Sequence, residues 1–186
     1  MKLTSRGKLL LLFGVFALPM VAAFIAYHGW RPSGHGNYGE LLDVTPLQAT
    51  AGTRLDGQAL DMDALRGKWL MVHIGGGACD AACARALYLS RQVRIAQGKD
   101  QSRIERMWVL TDASAPDAAL MEQHPGLIVW RPADRSFLAQ FPGGGESDRL
   151  YVVDPLGNLM MRFPADPDPK RMMKDLKLLL KASQIG

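Results

Sequence analysis

Cys79 and Cys83 are the only cysteines of the chain, and they stand four residues apart in Cys79-Asp80-Ala81-Ala82-Cys83. Two thiols so spaced can make and break an S–S bond, or share a metal ion. The run before them, Trp69-Leu70-Met71-Val72-His73-Ile74, reads as a buried strand, and Gly75-Gly76-Gly77 ends it. Residues 81–97 have helix-forming composition, with Leu87, Tyr88 and Val93 available for an inner face. Cys79 is therefore expected at a helix N-terminus, with Cys83 one turn in. The unpaired N–H groups and dipole of a helix N-terminus favour a thiolate, and the i,i+4 spacing keeps both sulfurs on one face. A purely structural disulfide is the alternative, although closing so short a loop removes little entropy from the unfolded chain.

The remaining chemistry-bearing residues are scattered. His28 and His35 fall in a linker-like stretch where nothing fixes their geometry; His73 is inside the strand and is expected to be packed in the interior. His124, before Pro125-Gly126, is expected as a polar helix cap. Met160, Met161, Met172 and Met173 could handle copper, but their spacing on a strand and a helix fits core packing better. Trp69, Trp108 and Trp130 fall in strands and are expected in the core. Gly75-Gly76-Gly77 and Gly143-Gly144-Gly145 lack the Lys-Ser/Thr that follows a phosphate-cradling loop; both are expected to border the dithiol, where glycine allows close backbone approach. Asp112, Asp117 and Asp134 form no carboxylate pair by spacing, and no Ser/His/Asp order for hydrolysis stands out.

The elements that must position the two thiols alternate. A helical turn over residues 60–65 precedes the Gly67-Lys68 turn, followed by the first core strand and the cysteine helix. Met107-Trp108-Val109-Leu110-Thr111 is a second strand, Pro116 opens a short helix to His124, and Leu127-Ile128-Val129-Trp130 is a third strand. Leu150-Tyr151-Val152-Val153 and Leu159-Met160-Met161-Arg162-Phe163, joined by Asp154-Pro155-Leu156-Gly157-Asn158, read as a hairpin. Residues 169–182 carry Met172, Met173, Leu176, Leu179 and Leu180 at helical spacing, so their basic residues are the wet face of a terminal helix. The order β-α-β-α-β, then β-β-α, with a dithiol after the first core strand, is that of an α/β thioredoxin-like domain.

Compartment follows from residues 9–27, an uncharged apolar run long enough to span a bilayer, preceded by Lys2, Arg6 and Lys8. The positive-inside rule leaves the N-terminus in the cytoplasm and the rest beyond the membrane, which in a bacterium is the periplasm. Val21-Ala22-Ala23 is a weak cleavage site, and a run this long argues for a retained anchor. The expected organisation is a tip and transmembrane helix over 1–28, a tether over 29–38 and one domain over 39–186. The net charge of +4 is mostly topogenic, since Lys2, Arg6 and Lys8 supply three of those units, so no nucleic-acid footprint is expected in the domain.

The soluble part resembles the Sco/SenC family. The resemblance runs through Gly67-Lys68, Gly75 four residues before Cys79, the Cys79/Cys83 spacing, Val109-Leu110-Thr111-Asp112 with Pro116-Asp117 and Leu120, and the segment from Leu150 to Gly157. It implies a membrane-anchored thioredoxin-like protein of cytochrome oxidase assembly, with copper held by the two cysteines and a distant histidine. In two respects this chain departs from the pattern. Asp80 and Ala84 replace the prolines that usually follow the cysteines, and Glu146-Ser147 stands where the family has His-Ser, eight residues before the hairpin Asp154. A carboxylate is a hard ligand poorly suited to Cu(I). The expectation is a divergent member that keeps the dithiol at Cys79 and Cys83 and lacks the copper-ligand histidine, with Glu146 at the third-ligand position. Thiol–disulfide exchange on a client, an oxidase subunit or copper-site assembly factor, stands ahead of Cu(I) carriage and of a non-catalytic scaffold with a structural disulfide.

Overall fold

The computed structural model describes residues 4–29, 36–145, 148–183 and 185. The chain divides into two compact units, Met1–Gly36 and Asn37–Gly186. The first contains one helix, α1 (Ser5–Gly29), with Pro19 inside it. Its stretch Ser5–Tyr27 is long and apolar enough to cross a membrane. At 1.5 Å per residue such a stretch reaches roughly 35 Å, sufficient for a hydrocarbon core. The helix continues through His28 to Gly29.

The second unit is an eight-stranded mixed sheet in the order β1-β8-β7-β4-β5-β6-β2-β3. Its strands are β1 (Glu40–Pro46), β2 (Ala51–Arg54), β3 (Ala59–Asp61), β4 (Trp69–Gly75), β5 (Ile104–Leu110), β6 (Leu127–Pro132), β7 (Leu150–Val153) and β8 (Asn158–Arg162). Three helices accompany them: α2 (Ala81–Ile95), α3 (Ala118–Glu122) and α4 (Pro169–Ala182). β4, β5 and β6 are parallel, and β7 returns antiparallel to β4 with His73 opposite Leu150. Parallel central strands are buried on both faces, which is why β4 reads as an unbroken apolar run rather than as an alternation. β7 and β8 form the expected hairpin. Its turn is closed by Asp154, whose carboxylate accepts from the N–H groups of Leu156 (2.9 Å) and Asn158 (2.8 Å).

Side chains of β4 alternate between two cores. Leu70, Val72 and Ile74 pack with Met107, Val109, Trp130, Phe137 and Tyr151. Trp69 and Met71 pack with Ala86, Leu89 and Val93 of α2 and with Met172, Leu176 and Leu180 of α4. A third cluster lies under α2, where Cys83 and Leu87 meet Trp108, Leu110, Leu127 and Val129. All three strand tryptophans are buried, and the methionines of β8 and α4 belong to the second core, as their spacing implied.

Several boundaries differ from the sequence reading, each for a local reason. α2 stops at Ile95 and not at 97. β5 begins at Ile104, three residues before the expected Met107, because it pairs in register with β4 from Trp69 onward. Pro116 does not open α3; Asp117 is the cap, accepting from Ala119 N at 2.7 Å and Leu120 N at 3.2 Å. β1, β2 and β3 were not anticipated at all. They are short or largely exposed outer strands, β1 paired antiparallel to β8, β2 to β6 and β3 to β2, and they carry little hydrophobic period.

Candidate dithiol site

Cys79 and Cys83 form a disulfide, with their Cα atoms 5.3 Å apart. Cys83, in the first turn of α2, is 4% exposed and sits against the Trp108 cluster; Cys79, in the loop before the helix, is only half-buried. The helix start is built by Asp80, whose side chain accepts from Cys83 N at 2.9 Å while its carbonyl accepts from Ala84 N at 2.9 Å. The pair is therefore asymmetric: Cys83 is buried in the cluster, and Cys79 packs at its edge, half-buried.

The approach to Cys79 is set by the glycine run. Gly75 O accepts from Thr111 N at 3.1 Å and from Trp108 Nε1 at 3.3 Å, which ties the end of β4 to β5. Next, Gly77 N donates to Asp112 Oδ1 at 3.0 Å, an oxygen that also accepts from Ser114 N at 3.0 Å. These bonds, the one from Gly77 first, hold the Asp112 carboxyl below its ordinary range. A Cβ on Gly76 would stand 2.5 Å from Asp112 Oδ2, and one on Gly77 would stand 2.2 Å from the Ser114 carbonyl oxygen. Glycine is required because two loops touch backbone to backbone. Asp112, which spacing alone gave no partner, is the residue that holds the dithiol loop. Its signal in the sequence was an aspartate two residues before Ser114, the arrangement of an Asx turn.

His73 lies on the same face of the sheet as α2. It is 1% exposed, and its ring centroid is 6.1 Å from that of Trp108. Its Nε2 would be 3.0 Å from a Cβ placed on Gly75. Burial pulls its pKa down to about 4, against weaker opposing effects of the Arg149 backbone and the Asp80 charge.

Other expected site residues separate. Gly145 packs against Ile74, on the sheet face away from α2, so that glycine loop does not share the face of the dithiol helix. His124 stands at the end of α3 as expected, its backbone N–H donating to Met121 O at 3.0 Å, and its side chain is buried, 4% exposed. His35, Glu146 and Ser147 lie outside the described residues, and His28 belongs to the first unit. Among the described residues no group of three His, Cys, Asp or Glu side chains could hold a metal ion. The two sulfurs are joined to each other, and the expected third-ligand position, Glu146, lies outside the described residues.

A mixed sheet with parallel β4-β5-β6, and a cysteine pair at the N-terminus of the helix after β4, defines a thioredoxin-like protein. The chain belongs to the family described as transmembrane-like, thioredoxin-like, C-terminal domain, whose profile matches residues 69–183. No curated protein matches it by sequence. The fold is that of Sco structures. Yeast Sco1 with copper bound superposes with a TM-score of 0.63 at 15% identity, over 76% of this chain and 96% of that one. Bradyrhizobium japonicum ScoI with copper bound gives 0.56 at 19% identity, over 72% and 99%. BsSco, described as having a disulfide switch and as a member of the Sco family of cytochrome c oxidase assembly proteins, gives 0.59 at 12% identity, over 77% and 98%.

Proposed function

We propose that this chain is a membrane-anchored assembly factor for a respiratory cytochrome oxidase, which acts by dithiol–disulfide exchange through Cys79 and Cys83. One observation carries the reading: a half-buried Cys79 bonded to a buried Cys83 at a capped helix N-terminus. In the reduced protein the Cys79 thiolate attacks one sulfur of a client disulfide, and the other client sulfur leaves as a thiolate. Cys83, once deprotonated, then attacks Cys79. The mixed disulfide breaks, the client leaves as a dithiol, and the Cys79–Cys83 bond remains. Two electrons have passed to the client, and a dithiol donor must restore the pair; the reverse sequence oxidises a client. The client is an oxidase subunit or a copper-site assembly factor, in keeping with the described roles of the Sco proteins that share the fold. The domain faces the periplasm from a bacterial inner membrane, with residues 1–28 as anchor, 29–38 as tether and 39–186 as the working domain.

The test is the alkylation rate of the Cys83→Ser full chain in detergent as a function of pH. Cys79 is expected to titrate below the free-thiol value of about 8.5, and a value at or above it removes the exchange reading. Cu(I) carriage is the second reading, supported by the copper bound in two of the similar structures. Competition of the reduced chain against a Cu(I) chelator separates the two: weak binding accords with exchange, and tight binding transfers the role to copper delivery.

A further inference from the structure

The outward face of α4 carries five cations and no carboxylate. Lys170, Arg171, Lys174, Lys177, Leu178 and Lys181 are all exposed. At 3.6 residues per turn they fall within an arc of roughly 120°, along about 16 Å of helix. Met172, Leu176 and Leu180 take the opposite arc and pack into the core shared with α2. Asp175, the one acid of the helix, is 1% exposed and turned inward, where its Oδ2 accepts from Tyr38 N at 2.8 Å and Gly39 N at 2.7 Å. The acids before the helix are committed too. Asp168 caps Lys170 N at 2.8 Å and Arg171 N at 3.3 Å, and Asp166 pairs with Arg85 at 3.0 Å. Among the described residues no ion pair includes any of the five cations.

The chain enters the domain at this same helix. Besides its N–H on Asp175, Tyr38 accepts from Asp168 N at 3.0 Å through its hydroxyl, and the Arg171 guanidinium lies 4.0 Å from its ring centroid. Only residues 30–37 separate Tyr38 from the end of α1 at Gly29. Fully extended, that stretch reaches about 30 Å at most. On the membrane-anchored reading, on which this inference rests, the start of α4 is therefore confined close to the bilayer surface. Toward the other end of α4 the surface turns apolar. Leu156 and Ile185 are about half exposed and edge an open groove of about 310 Å³, lined also by Trp69, Met160 and Leu179, with Leu178 exposed next to Leu179. A stripe of long cationic side chains with apolar ones at its end suits a lipid interface, where the cations reach headgroups and the apolar groups enter the acyl boundary. An acidic protein would match the charge alone; the short link to the anchor favours the lipid surface itself.

We infer that the exposed face of α4, from Lys170 to Lys181, docks on anionic phospholipid headgroups of the membrane that holds the anchor. Because α4 packs on Ala86, Leu89 and Val93 of α2, docking also fixes the inclination of the dithiol helix to the bilayer. The test is the rate of lysine acetylation, read residue by residue by mass spectrometry, in the full chain reconstituted in nanodiscs of phosphatidylcholine with and without phosphatidylglycerol. Exposed Lys99, outside α4, is the internal reference. Phosphatidylglycerol is expected to slow acetylation of Lys170, Lys174, Lys177 and Lys181 about fivefold relative to Lys99, and salt at about 1 M to restore it. A variant combining Lys174→Gln, Lys177→Gln and Lys181→Gln, all exposed positions, loses the slowing at Lys170. Equal rates in the two kinds of disc, or a slowing shared by Lys99, overturn the proposal. The anchor is checked separately by flotation with phosphatidylcholine vesicles in alkaline carbonate. A chain released there overturns the anchored reading and this inference with it, whereas a chain retained there with equal acetylation rates overturns this inference alone.

Discussion

The two ends of α2 are built on opposite principles. At the N-terminal end the exposed N–H groups are taken up: Asp80 caps Cys83, Asp112 accepts from Gly77 and Ser114, and the glycines let the loops touch. At the far end Arg106 and His124 are buried with nitrogens unpartnered and with Arg91 and Arg94 as like-charged neighbours. Trp108 stands between, packing beside Cys83 and Leu87 and donating to Gly75 O at 3.3 Å. The first end holds a covalent pair rigidly, as chemistry at a fixed sulfur requires. The second buries a guanidinium beside two like charges, with no carboxylate at ion-pair distance among the described residues. His73 is the exception near the first end, a buried base on the dithiol face.

The largest effect is expected where the two ends meet. Trp108→Ala removes a side chain with no exposed surface and should cost about 3–5 kcal/mol, read from urea unfolding of the full chain in micelles. Because Trp108 also holds Gly75, this variant should speed reduction of the Cys79–Cys83 bond by a small dithiol. A variant that loses stability with an unchanged reduction rate would show that the loop is held by Asp112 alone.

The next effect concerns His73 and acid. Its ordinary pKa of 6.5 applies to the unfolded chain, and about 4 to the folded one, so between those values the unfolded chain binds the extra proton. Stability is therefore fully present above pH 6.5 and is lost as pH falls toward 4, by about 3 kcal/mol in all. His73→Leu should flatten most of that slope, leaving a residue from His124, whose pKa is also lowered by burial. An unchanged slope between the two proteins would assign the acid sensitivity elsewhere.

The smallest effect sharpens the contrast by its sign. Arg106→Met in a buffer free of multivalent anions should lie within about 1 kcal/mol of the parent or above it, since the variant removes an uncompensated buried charge. A loss as large as that of Trp108→Ala would mean that the Pro125 contact outweighs the cost of the buried charge.

Much of the fold was legible because burial leaves a mark on composition. The apolar runs of β4, β5 and β6, the turn residues of the β7–β8 hairpin and the Asp168-Pro169 start of α4 each state their structure locally. The only two cysteines, at i,i+4 after a glycine break, marked the candidate site. β1, β2 and β3 were not legible, since outer strands of mixed exposure obey no period that local sequence reports.

By itself, then, the sequence determined the thioredoxin-like order, the apolar N-terminal helix and the position of both sulfurs at one helix start, because each depends on residues near one another in the chain. Only the tertiary structure decided that Cys83 is sealed while Cys79 is half-open, that Asp112 holds the loop across from β5, and that His73, His124 and Arg106 are buried. It also brought Arg91 and Arg94, fifteen and twelve positions away along the chain, near enough for their charges to oppose that of Arg106. Those facts depend on which faces meet when the helix packs on the sheet, and a periodicity within one element carries no record of its neighbour's charges.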